Sequence, residues 1–275
     1  MEAILSFRGT VMGPICLSIA GFDGSGGAGI QADLKTFSAF SCYGTTILTA
    51  LPIQNTQGVK GCYELPLQSI QDQLETIFED MTPASIKIGM LFSADIVHVV
   101  SEFLRPRASS IPIVLDPVMI AKSGDSLLKS EAIDALESEL IPLATLITPN
   151  IPEAIALVGQ MDFENLGIRI LGLGSKAVLL KGGHCEDTEF STDLFLSATE
   201  KTLLTSPRIH SKNTHGTGCT LSAAISANLA LGLPILDACR VAKEYLYQAI
   251  LAAKDHSVGK GNGPVNHLVN KKQLG

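Results

Sequence analysis

The feature of the sequence that most constrains its fold is a regular alternation of short apolar segments with segments of helical periodicity. Residues 15–20, 85–90 and 111–116 are short runs rich in apolar side chains, as is typical of strands buried on both faces. Between the first two, apolar residues recur every three or four positions over residues 67–78, which indicates an amphipathic helix. The alternation predicts repeated strand–helix units, and hence a mostly parallel sheet covered by helices on both sides.

Predicted elements extend over nearly the whole chain. Strands are predicted at 15–20, 45–53, 85–90, 111–116, 144–148 and 177–181, and helices at 29–40, 67–78, 93–104, 130–140, from 152 onwards, 217–231 and 235–253. Strand-like segments at 193–197 and 201–205 predict an antiparallel hairpin at the sheet edge. No linker or repeat interrupts the pattern, so we expect one α/β domain over residues 1–275, a three-layer α/β/α sandwich.

The start of the chain is less regular than the rest. The periodic pattern begins only near Pro14. Residues 1–13 are therefore either an N-terminal arm or the result of a start assigned to Met1 rather than Met12. No cationic segment followed by an apolar core and a cleavage site is present there, so export is not indicated.

Composition and charge exclude several classes of protein. The chain is 46% hydrophobic and 17% charged, which excludes disorder, and its apolar runs are too short to span a membrane. The formal net charge of -7 has the wrong sign for a protein that binds nucleic-acid phosphates. The six cysteines lie far apart with no Cys-x-x-Cys pair, so we expect neither a zinc site nor a disulfide framework. These features predict a cytoplasmic protein.

A first glycine cluster, residues 24–29, follows a predicted strand and precedes a predicted helix. It matches the Gly-x-Gly-x-x-Gly pattern with which dinucleotide-binding proteins bring backbone N–H groups to an anion. A dinucleotide site also requires an acidic residue at the end of the second strand to hold the ribose. That strand is followed by Gln-Asn-Thr-Gln at 54–57, so the sequence disfavours an oxidoreductase.

A second glycine cluster, residues 212–220, lies directly before the apolar helix at 221–231. Gly216 and Gly218 allow the backbone to turn its amides towards a bound anion, and the helix dipole adds about half a positive charge there. This pattern indicates a phosphate-binding loop. An ordinary loop with Thr217 as the helix N-cap accounts for the same residues equally well, and the spacing alone does not decide between the two.

Several short motifs follow one another along the chain. They are Ala-Gly-Phe-Asp at 20–23, Gly-Gly-Ala-Gly-Ile-Gln-Ala-Asp at 26–33, Gln-Asn-Thr-Gln-Gly-Val at 54–59, Lys-Ile-Gly-Met-Leu at 87–91, Leu-Asp-Pro-Val-Met at 115–119, Thr-Pro-Asn at 148–150 and Lys-Gly-Gly-His at 181–184. With the second glycine cluster, they make the sequence resemble the ribokinase-like kinases, and within them the hydroxymethylpyrimidine/phosphomethylpyrimidine kinases of thiamine biosynthesis. The resemblance runs from about residue 15 to Pro264. It implies a ribokinase-like fold, a homodimer and phosphoryl transfer from ATP, with Mg²⁺, to a small alcohol.

The resemblance also implies roles for polar residues after the predicted strands. Phosphoryl transfer requires positioning and electrostatic stabilisation rather than covalent chemistry. By the resemblance, Gly216, Thr217 and Gly218 stabilise the charge that develops on the transferred group. Lys181, Asn150 and Thr217 bind the nucleotide, and Asp116 and Glu153 bind Mg²⁺. Without the resemblance, Glu153 would be interpreted as a carboxylate at a helix start, and Lys181 as a surface lysine.

Four residues are candidates for binding a flat aminopyrimidine. Gln54 offers a hydrogen-bond donor and an acceptor from one amide, and Met90 offers a polarizable surface for the ring. The resemblance points to Gln54 directly and adds Asp33 and Gly21 as neighbours. Pro52, just before Gln54, predicts a local edge or bulge in that strand.

Cys219 occupies the position at which most ribokinase-like enzymes carry an aspartate base. The pyrimidine kinases also have a cysteine at this position. A thiol at a helix N-terminus can have a lowered pKa, so Cys219 is a candidate to accept the proton of the substrate hydroxyl. The alternative is a buried apolar residue that only contacts the hydroxyl. The sequence leaves both open.

Three functions compete. The resemblance favours a kinase of 4-amino-5-hydroxymethyl-2-methylpyrimidine and of its monophosphate. A pyridoxal or pyridoxine kinase is the alternative, because related enzymes of this group accept that vitamin. A non-catalytic ligand-binding protein on the same fold is a third hypothesis, and the polar residues named above argue against it.

Overall fold

The structure is a computed structural model that describes residues 13–119, 131–183 and 189–269. The predicted N-terminal arm, apart from Gly13, lies outside the described residues, as do Cys185 and the first residue of the helix predicted at 130–140. Among the described helices, none is long and apolar enough to cross a membrane.

An eight-stranded sheet forms the centre of the described chain. The described residues form ten strands, of which all but β3 and β4 belong to this sheet: β1 (Ile15–Ala20), β2 (Tyr43–Leu48), β3 (Ala50–Asn55), β4 (Gly58–Glu64), β5 (Ser85–Ile88), β6 (Ile113–Leu115), β7 (Leu146–Ile147), β8 (Ala177–Leu180), β9 (Phe190–Ser197) and β10 (Lys201–Pro207). Their order in the sheet is β10-β9-β8-β7-β6-β5-β1-β2. The pairings from β2 to β8 are parallel, and those of β9 and β10 are antiparallel. The predicted parallel sheet with an antiparallel edge hairpin is confirmed.

Helices cover both faces of this sheet. They are α1 (Gly29–Ala39), α2 (Leu67–Asp80), α3 (Ala94–Leu104), α4 (Glu131–Ala135), α5 (Ile151–Val158), α6 (Phe163–Leu171), α7 (Thr217–Ala230) and α8 (Ile235–Ala253). Leu115 of β6 lies in an apolar cluster with Ile70 of α2 and Ile96 of α3. Its neighbour Val114 lies in another cluster, with Leu221 of α7. Successive strand residues face opposite sides of a sheet, so the three-layer α/β/α sandwich is confirmed.

The prediction of one strand over 45–53 is wrong, because the chain turns at Thr49. The backbone N–H of Thr49 donates to the carbonyl of Ala20 at 3.1 Å, and its hydroxyl donates to the carbonyl of Met90 at 2.6 Å. β3 then leaves the main sheet and pairs with β4, which the prediction missed. We call this pair the lid hairpin. Its register shifts between Ile53 and Gln54, which confirms the irregularity predicted from Pro52.

Two predicted helices are more broken than expected. The helix predicted from residue 152 is two helices, because α5 ends at Gly159 with a φ of 82° and Asp162 caps the start of α6 through its side chain. The described part of the helix predicted at 130–140 begins with α4 and continues as a π-helical turn, Leu136–Leu140. A 3₁₀ turn at Ile141–Leu143 follows it.

Candidate active site

A cavity of about 590 Å³ lies at the carboxyl ends of the parallel strands, between the lid hairpin and the first turn of α7. Ligands of open α/β sheets bind at this end of the strands. Of the predicted site residues, the cavity is lined by Gly21, Gln54, Met90, Asp116, Asn150, Glu153, Lys181, Gly216, Thr217, Gly218 and Cys219. Asp33 does not line it. The predicted residues therefore converge on one site, although they are spread over some 200 positions.

The second glycine cluster forms the N-terminus of α7, and we call residues 213–219 the anion loop. Gly216 is the N-cap of the helix, in a left-handed conformation with a φ of 78° and a ψ of 12°, which favours glycine. A Cβ at Gly216 would overlap the carbonyl oxygen of Gly27, so the two glycine clusters touch. The first N–H groups of a helix have no partner within the helix. The anion loop can therefore offer backbone donors and the helix dipole to a phosphate.

The first glycine cluster is held by the buried carboxylate of Asp23. This carboxylate accepts hydrogen bonds from the backbone N–H groups of Ser25, Gly27 and Ala28 at 2.9, 3.0 and 2.7 Å. It also pairs with Nε2 of His215 at 2.8 Å. Burial opposes ionisation of Asp23, but the hydrogen bonds from His215, Ser25 and Ala28 outweigh it and hold the pKa well below its usual range. Asp23 therefore links the first glycine cluster to the anion loop as an ionised group.

Three charged side chains meet at the cavity wall beside the anion loop. Nζ of Lys181 lies 2.8 Å from Oδ1 of Asp116 and 3.9 Å from Oε2 of Glu153. Asp116 also accepts a hydrogen bond from the hydroxyl of Thr148 at 3.1 Å. Burial disfavours the ammonium of Lys181, but the two carboxylates outweigh it and raise the pKa. A Cβ at Gly218 would lie 3.4 Å from Nζ of Lys181, so the ammonium lies directly beside the anion loop.

Glu153 has a structural role that its sequence position already suggested. The side chain of Asn150 accepts a hydrogen bond from the backbone N–H of Glu153 at 2.9 Å, and the Glu153 carboxylate accepts one from the N–H of Asn150 at 2.8 Å. This reciprocal pair is a capping box at the start of α5. Burial raises the pKa of Glu153 to about 7, with Lys181 opposing the rise and Asp116 adding to it.

Asp116 and Glu153 are suitable ligands for Mg²⁺. Mg²⁺ prefers oxygen ligands and is usually bound by one or two carboxylates together with substrate phosphates and water. The second oxygen of Asp116, Oδ2, has only a long contact of 3.4 Å with the hydroxyl of Ser222. The described residues contain no cluster of three or more His, Cys, Asp or Glu side chains able to hold a metal ion.

Lys87 lines the cavity, whereas the motif at 87–91 indicated no role for it. Nζ of Lys87 lies 2.8 Å from Oδ2 of Asp33, and both side chains are fully buried. Ser18 donates a hydrogen bond to the same carboxylate oxygen at 2.6 Å. Burial disfavours the ammonium, but Asp33 outweighs it and raises the pKa of Lys87. Asp33 thus lies behind the cavity wall and acts on the cavity through Lys87.

Cys219 lies in the first turn of α7 and lines the cavity, as does Lys87. Burial is the dominant influence and raises the pKa of the thiol to about 11, while Lys87 lowers it and Asp33 and Asp116 raise it. Burial therefore outweighs the lowering of the thiol pKa that is expected at a helix N-terminus. Cys219 is protonated at neutral pH.

Gln54, Met90 and Gly21, the residues predicted to bind a flat ring, line one part of the cavity. We call this part the acceptor end, because a molecule that accepts a phosphoryl group would bind there. The side-chain amide of Gln54 makes no hydrogen bond with the described residues, so its donor and acceptor are available to a ligand. A Cβ at Gly21 would lie 3.0 Å from the sulfur of Met90. A side chain at Gly21 would therefore push against Met90 and narrow the space for a flat ring.

The opposite end of the cavity contains a second buried ion pair that the sequence did not single out. Nζ of Lys243 on α8 lies 2.7 Å from Oδ2 of Asp193. The other oxygen of Asp193 accepts the backbone N–H of Gly182 at 2.9 Å. The pair of Lys243 and Asp193 joins α8 and β9 to Gly182, the residue after Lys181. It therefore fixes the part of the cavity wall that lies next to Lys181.

The fold, the cavity and the anion loop define a kinase of the ribokinase-like class. The family model for phosphomethylpyrimidine kinase matches residues 23–266. A hydroxymethylpyrimidine/phosphomethylpyrimidine kinase of Rhizobium meliloti is 44% identical over 263 residues, covering 94% of this chain and 98% of the relative. The chain therefore belongs to the phosphomethylpyrimidine kinase family.

Two solved structures of similar proteins support this assignment. The crystal structure of phosphomethylpyrimidine kinase from Clostridium difficile is 43% identical, with a TM-score of 0.76, and the match covers 86% of this chain and 99% of that chain. The pyridoxal kinase of Staphylococcus aureus, in complex with AMP-PCP and pyridoxal, is 32% identical with a TM-score of 0.84, and covers 95% of this chain and 96% of that one. The chain is thus similar both to a phosphomethylpyrimidine kinase and to a pyridoxal kinase.

Proposed function

We propose that this protein transfers a phosphoryl group from MgATP to 4-amino-5-hydroxymethyl-2-methylpyrimidine, and then to its monophosphate, in thiamine biosynthesis. The observation that carries the proposal is one cavity that is lined by Gln54 and Met90 and also by the anion loop and Lys181. The arrangement offers a place for a flat acceptor at one end and for phosphates at the other. Membership of the family supports both acceptors.

The anion loop and Lys181 carry the electrostatic part of the reaction. In phosphoryl transfer, charge spreads over the oxygens of the transferred group, and fixed donors aimed at those oxygens lower the barrier. Gly216, Thr217 and Gly218 supply backbone donors at a helix N-terminus, and Lys181 adds a cation beside them. Asn150 lies next to Lys181, where a parallel bridge joins their backbones, and we assign it to the nucleotide side.

Asp116 and Glu153 would hold Mg²⁺, which supplies charge neutralisation between the phosphates when it is bound. Lys181 competes for the same carboxylate oxygens. When MgATP binds, the ammonium of Lys181 must therefore divide its contacts between these carboxylates and the phosphates.

Cys219 contributes as a neutral thiol. Its pKa of about 11 leaves very little thiolate at neutral pH, so a base role would require the acceptor itself to shift the equilibrium. We propose that the thiol contacts the acceptor hydroxyl, and that the proton leaves with the transferred phosphate, whose loose transition state needs little help from a base.

A pyridoxal kinase is the second candidate, favoured by the likeness to the Staphylococcus aureus enzyme. A coupled ADP-release assay with Gln54→Ala separates the two. We expect this variant to lose pyrimidine turnover selectively, because it removes a donor and an acceptor that match an aminopyrimidine edge. Gln57→Ala is the matched control, since Gln57 lies on the same hairpin, is exposed and does not line the cavity. Equal effects of the two variants, or tight binding with no turnover, would contradict the proposal.

We further propose that residues 1–275 act as one domain of a cytoplasmic homodimer, as the resemblance to the family implies. Size-exclusion chromatography with light scattering tests the dimer. A mass about twice that of one chain is expected, and the mass of a single chain would contradict the proposal.

A further inference from the structure

The segment 257–263, which we call the strap, follows α8 and touches the tip of the lid hairpin. The backbone N–H of Asn262 donates to the carbonyl oxygen of Thr56 at 2.8 Å, and that of Gly261 donates to the hydroxyl oxygen of Thr56 at 3.2 Å. Thr56 lies at the turn between β3 and β4, two residues after Gln54. The strap therefore holds the hairpin close to the point where the acceptor end of the cavity is formed.

The same strap also holds the anion loop. The backbone N–H of His215 donates to the carbonyl oxygen of Gly263 at 3.0 Å, and a parallel bridge joins His215 to Pro264. Asn213, which is buried, donates from Nδ2 to the carbonyl oxygens of Ala253 and His256 at 2.5 and 2.6 Å. The loop that carries the phosphate donors is thus fixed to Gly263 at one end of the strap and to Ala253 and His256 just before its other end.

Three alternating glycines allow these approaches. A Cβ at Gly259 would overlap the side chain of Thr56, one at Gly261 would overlap the carbonyl oxygen of Thr56, and one at Gly263 would overlap Oδ1 of Asn213. Where two backbone segments approach each other this closely, only glycine fits, because it has no Cβ. Residues 257–262 are exposed, so burial of strap side chains does not explain why this part of the chain follows the surface so closely.

The segment after the strap is anchored to the first turn of α7. Nε2 of His267 lies 3.0 Å from the hydroxyl oxygen of Thr220, and the hydroxyl of Tyr245 donates to the carbonyl oxygen of His267 at 2.7 Å. Both ends of the strap are therefore tied to rigid helices, and its middle reaches the lid hairpin. A displacement of the strap would move the hairpin relative to α7.

We infer that the strap is a positioning element that sets the distance between the lid hairpin and the anion loop, and so aligns the acceptor with the phosphate. This inference rests on the proposed function, in which Gln54 holds the acceptor and the anion loop holds the transferred group. None of the strap residues touches the reacting atoms in this account. They act through Thr56 on the hairpin and through His215 on the loop.

Gly261→Ala tests the inference, with Gly61→Ala as the matched control. Gly61 lies on β4 of the same hairpin, and a Cβ there would meet nothing within 4 Å. We expect Gly261→Ala to raise KM for the pyrimidine and lower kcat, with kcat/KM falling about tenfold or more, since a misplacement of about 1 Å can cost on the order of a hundredfold.

Thr56→Ala is a milder second variant that removes the hydroxyl acceptor of Gly261 without adding bulk. We expect a change of kcat/KM of about threefold in the same direction, the size of one hydrogen bond. It keeps the test available if Gly261→Ala does not fold. Wild-type values of kcat and KM in both Gly261→Ala and Thr56→Ala would overturn the inference.

Hydrogen exchange separates failure of the inference from failure of the proposed function. In Gly261→Ala, we expect faster amide exchange in peptides that cover the lid tip at 54–59 and in peptides that cover the anion loop at 213–219, whatever substrate the enzyme accepts. Faster exchange at the lid tip alone would refute the coupling. An enzyme with no activity on pyrimidine alcohols that still shows the paired change would contradict the function and support the strap.

Discussion

The buried pair of Lys87 and Asp33 allows the structural and catalytic roles of a charge in the cavity wall to be separated. Both side chains are fully buried and their charged atoms are 2.8 Å apart. Removing one partner from such a pair leaves an uncompensated buried charge and costs about 3–5 kcal/mol, whereas replacing both is often nearly neutral. Lys87→Met should therefore lower the free energy of unfolding by about 3–5 kcal/mol. The double variant Lys87→Met with Asp33→Leu, which replaces both charges by apolar side chains, should lie within about 1 kcal/mol of wild type.

Denaturant unfolding of the wild type, the two single variants and the double variant gives this double-mutant cycle. The expected coupling between the two positions is at least about 5 kcal/mol, above the range of about 0.5–3 kcal/mol that is usual for directly interacting residues. Kinetics on the stable double variant then test the cavity role of Lys87. We expect kcat/KM to fall at least about tenfold, since a charged donor at the reacting centre is lost. Additive effects of the single variants on stability, or wild-type kinetics in the double variant, would refute this reasoning.

Three further predictions concern residues of the same site. Cys219→Ala should lower kcat by less than about tenfold, because loss of a general base costs on the order of a hundredfold or more, and a larger loss in steady-state kinetics would show that the thiol acts as a base. Gly216→Ala should abolish most activity, because its Cβ would overlap the carbonyl oxygen of Gly27. Gly232→Ala is its control, with a comparable φ of 89° and open space around its Cβ, so it should cost only about 1 kcal/mol of stability and leave kcat unchanged. The Glu153 carboxyl has a raised pKa of about 7, against 4.5 for an unperturbed glutamate, so the folded state binds the extra proton between these values and stability without Mg²⁺ should fall as pH rises through that window. Glu153→Gln keeps the capping box and should remove that slope in urea titrations at several pH values, and an unchanged slope would contradict the assignment.

The central sheet could be predicted because its strands are short apolar runs between helices of clear periodicity. The lid hairpin could not, since β4 carries Lys60, two glycines and exposed side chains, and shows neither a continuous apolar run nor a clear alternation. The break at Thr49 was missed for a related reason. The chain remains extended on both sides of it, and only the hydrogen bonds to Ala20 and Met90 show that β3 leaves the sheet.

The cavity residues were predicted mainly through motifs at the carboxyl ends of strands and at helix starts. The pairs that tune the site could not be found in this way, because their members are distant in the sequence. Asp33 and Lys87 are 54 residues apart, and Asp23 and His215 are 192 apart. The sequence therefore placed Asp33 in the substrate site, whereas the structure places it one layer behind, against Lys87. The pKa of Cys219 was also beyond the sequence, since burial outweighs the helix N-terminus only once the surrounding side chains are in place.

The most direct test of the account is the specificity of the purified enzyme in a coupled ADP-release assay with MgATP. The acceptors are 4-amino-5-hydroxymethyl-2-methylpyrimidine, its monophosphate and pyridoxal. We expect turnover of both pyrimidines, with kcat/KM for the pyrimidine alcohol at least about tenfold above that for pyridoxal, a difference of about 1.4 kcal/mol in transition-state binding. A higher kcat/KM for pyridoxal, or no ADP release with either pyrimidine, would contradict the account.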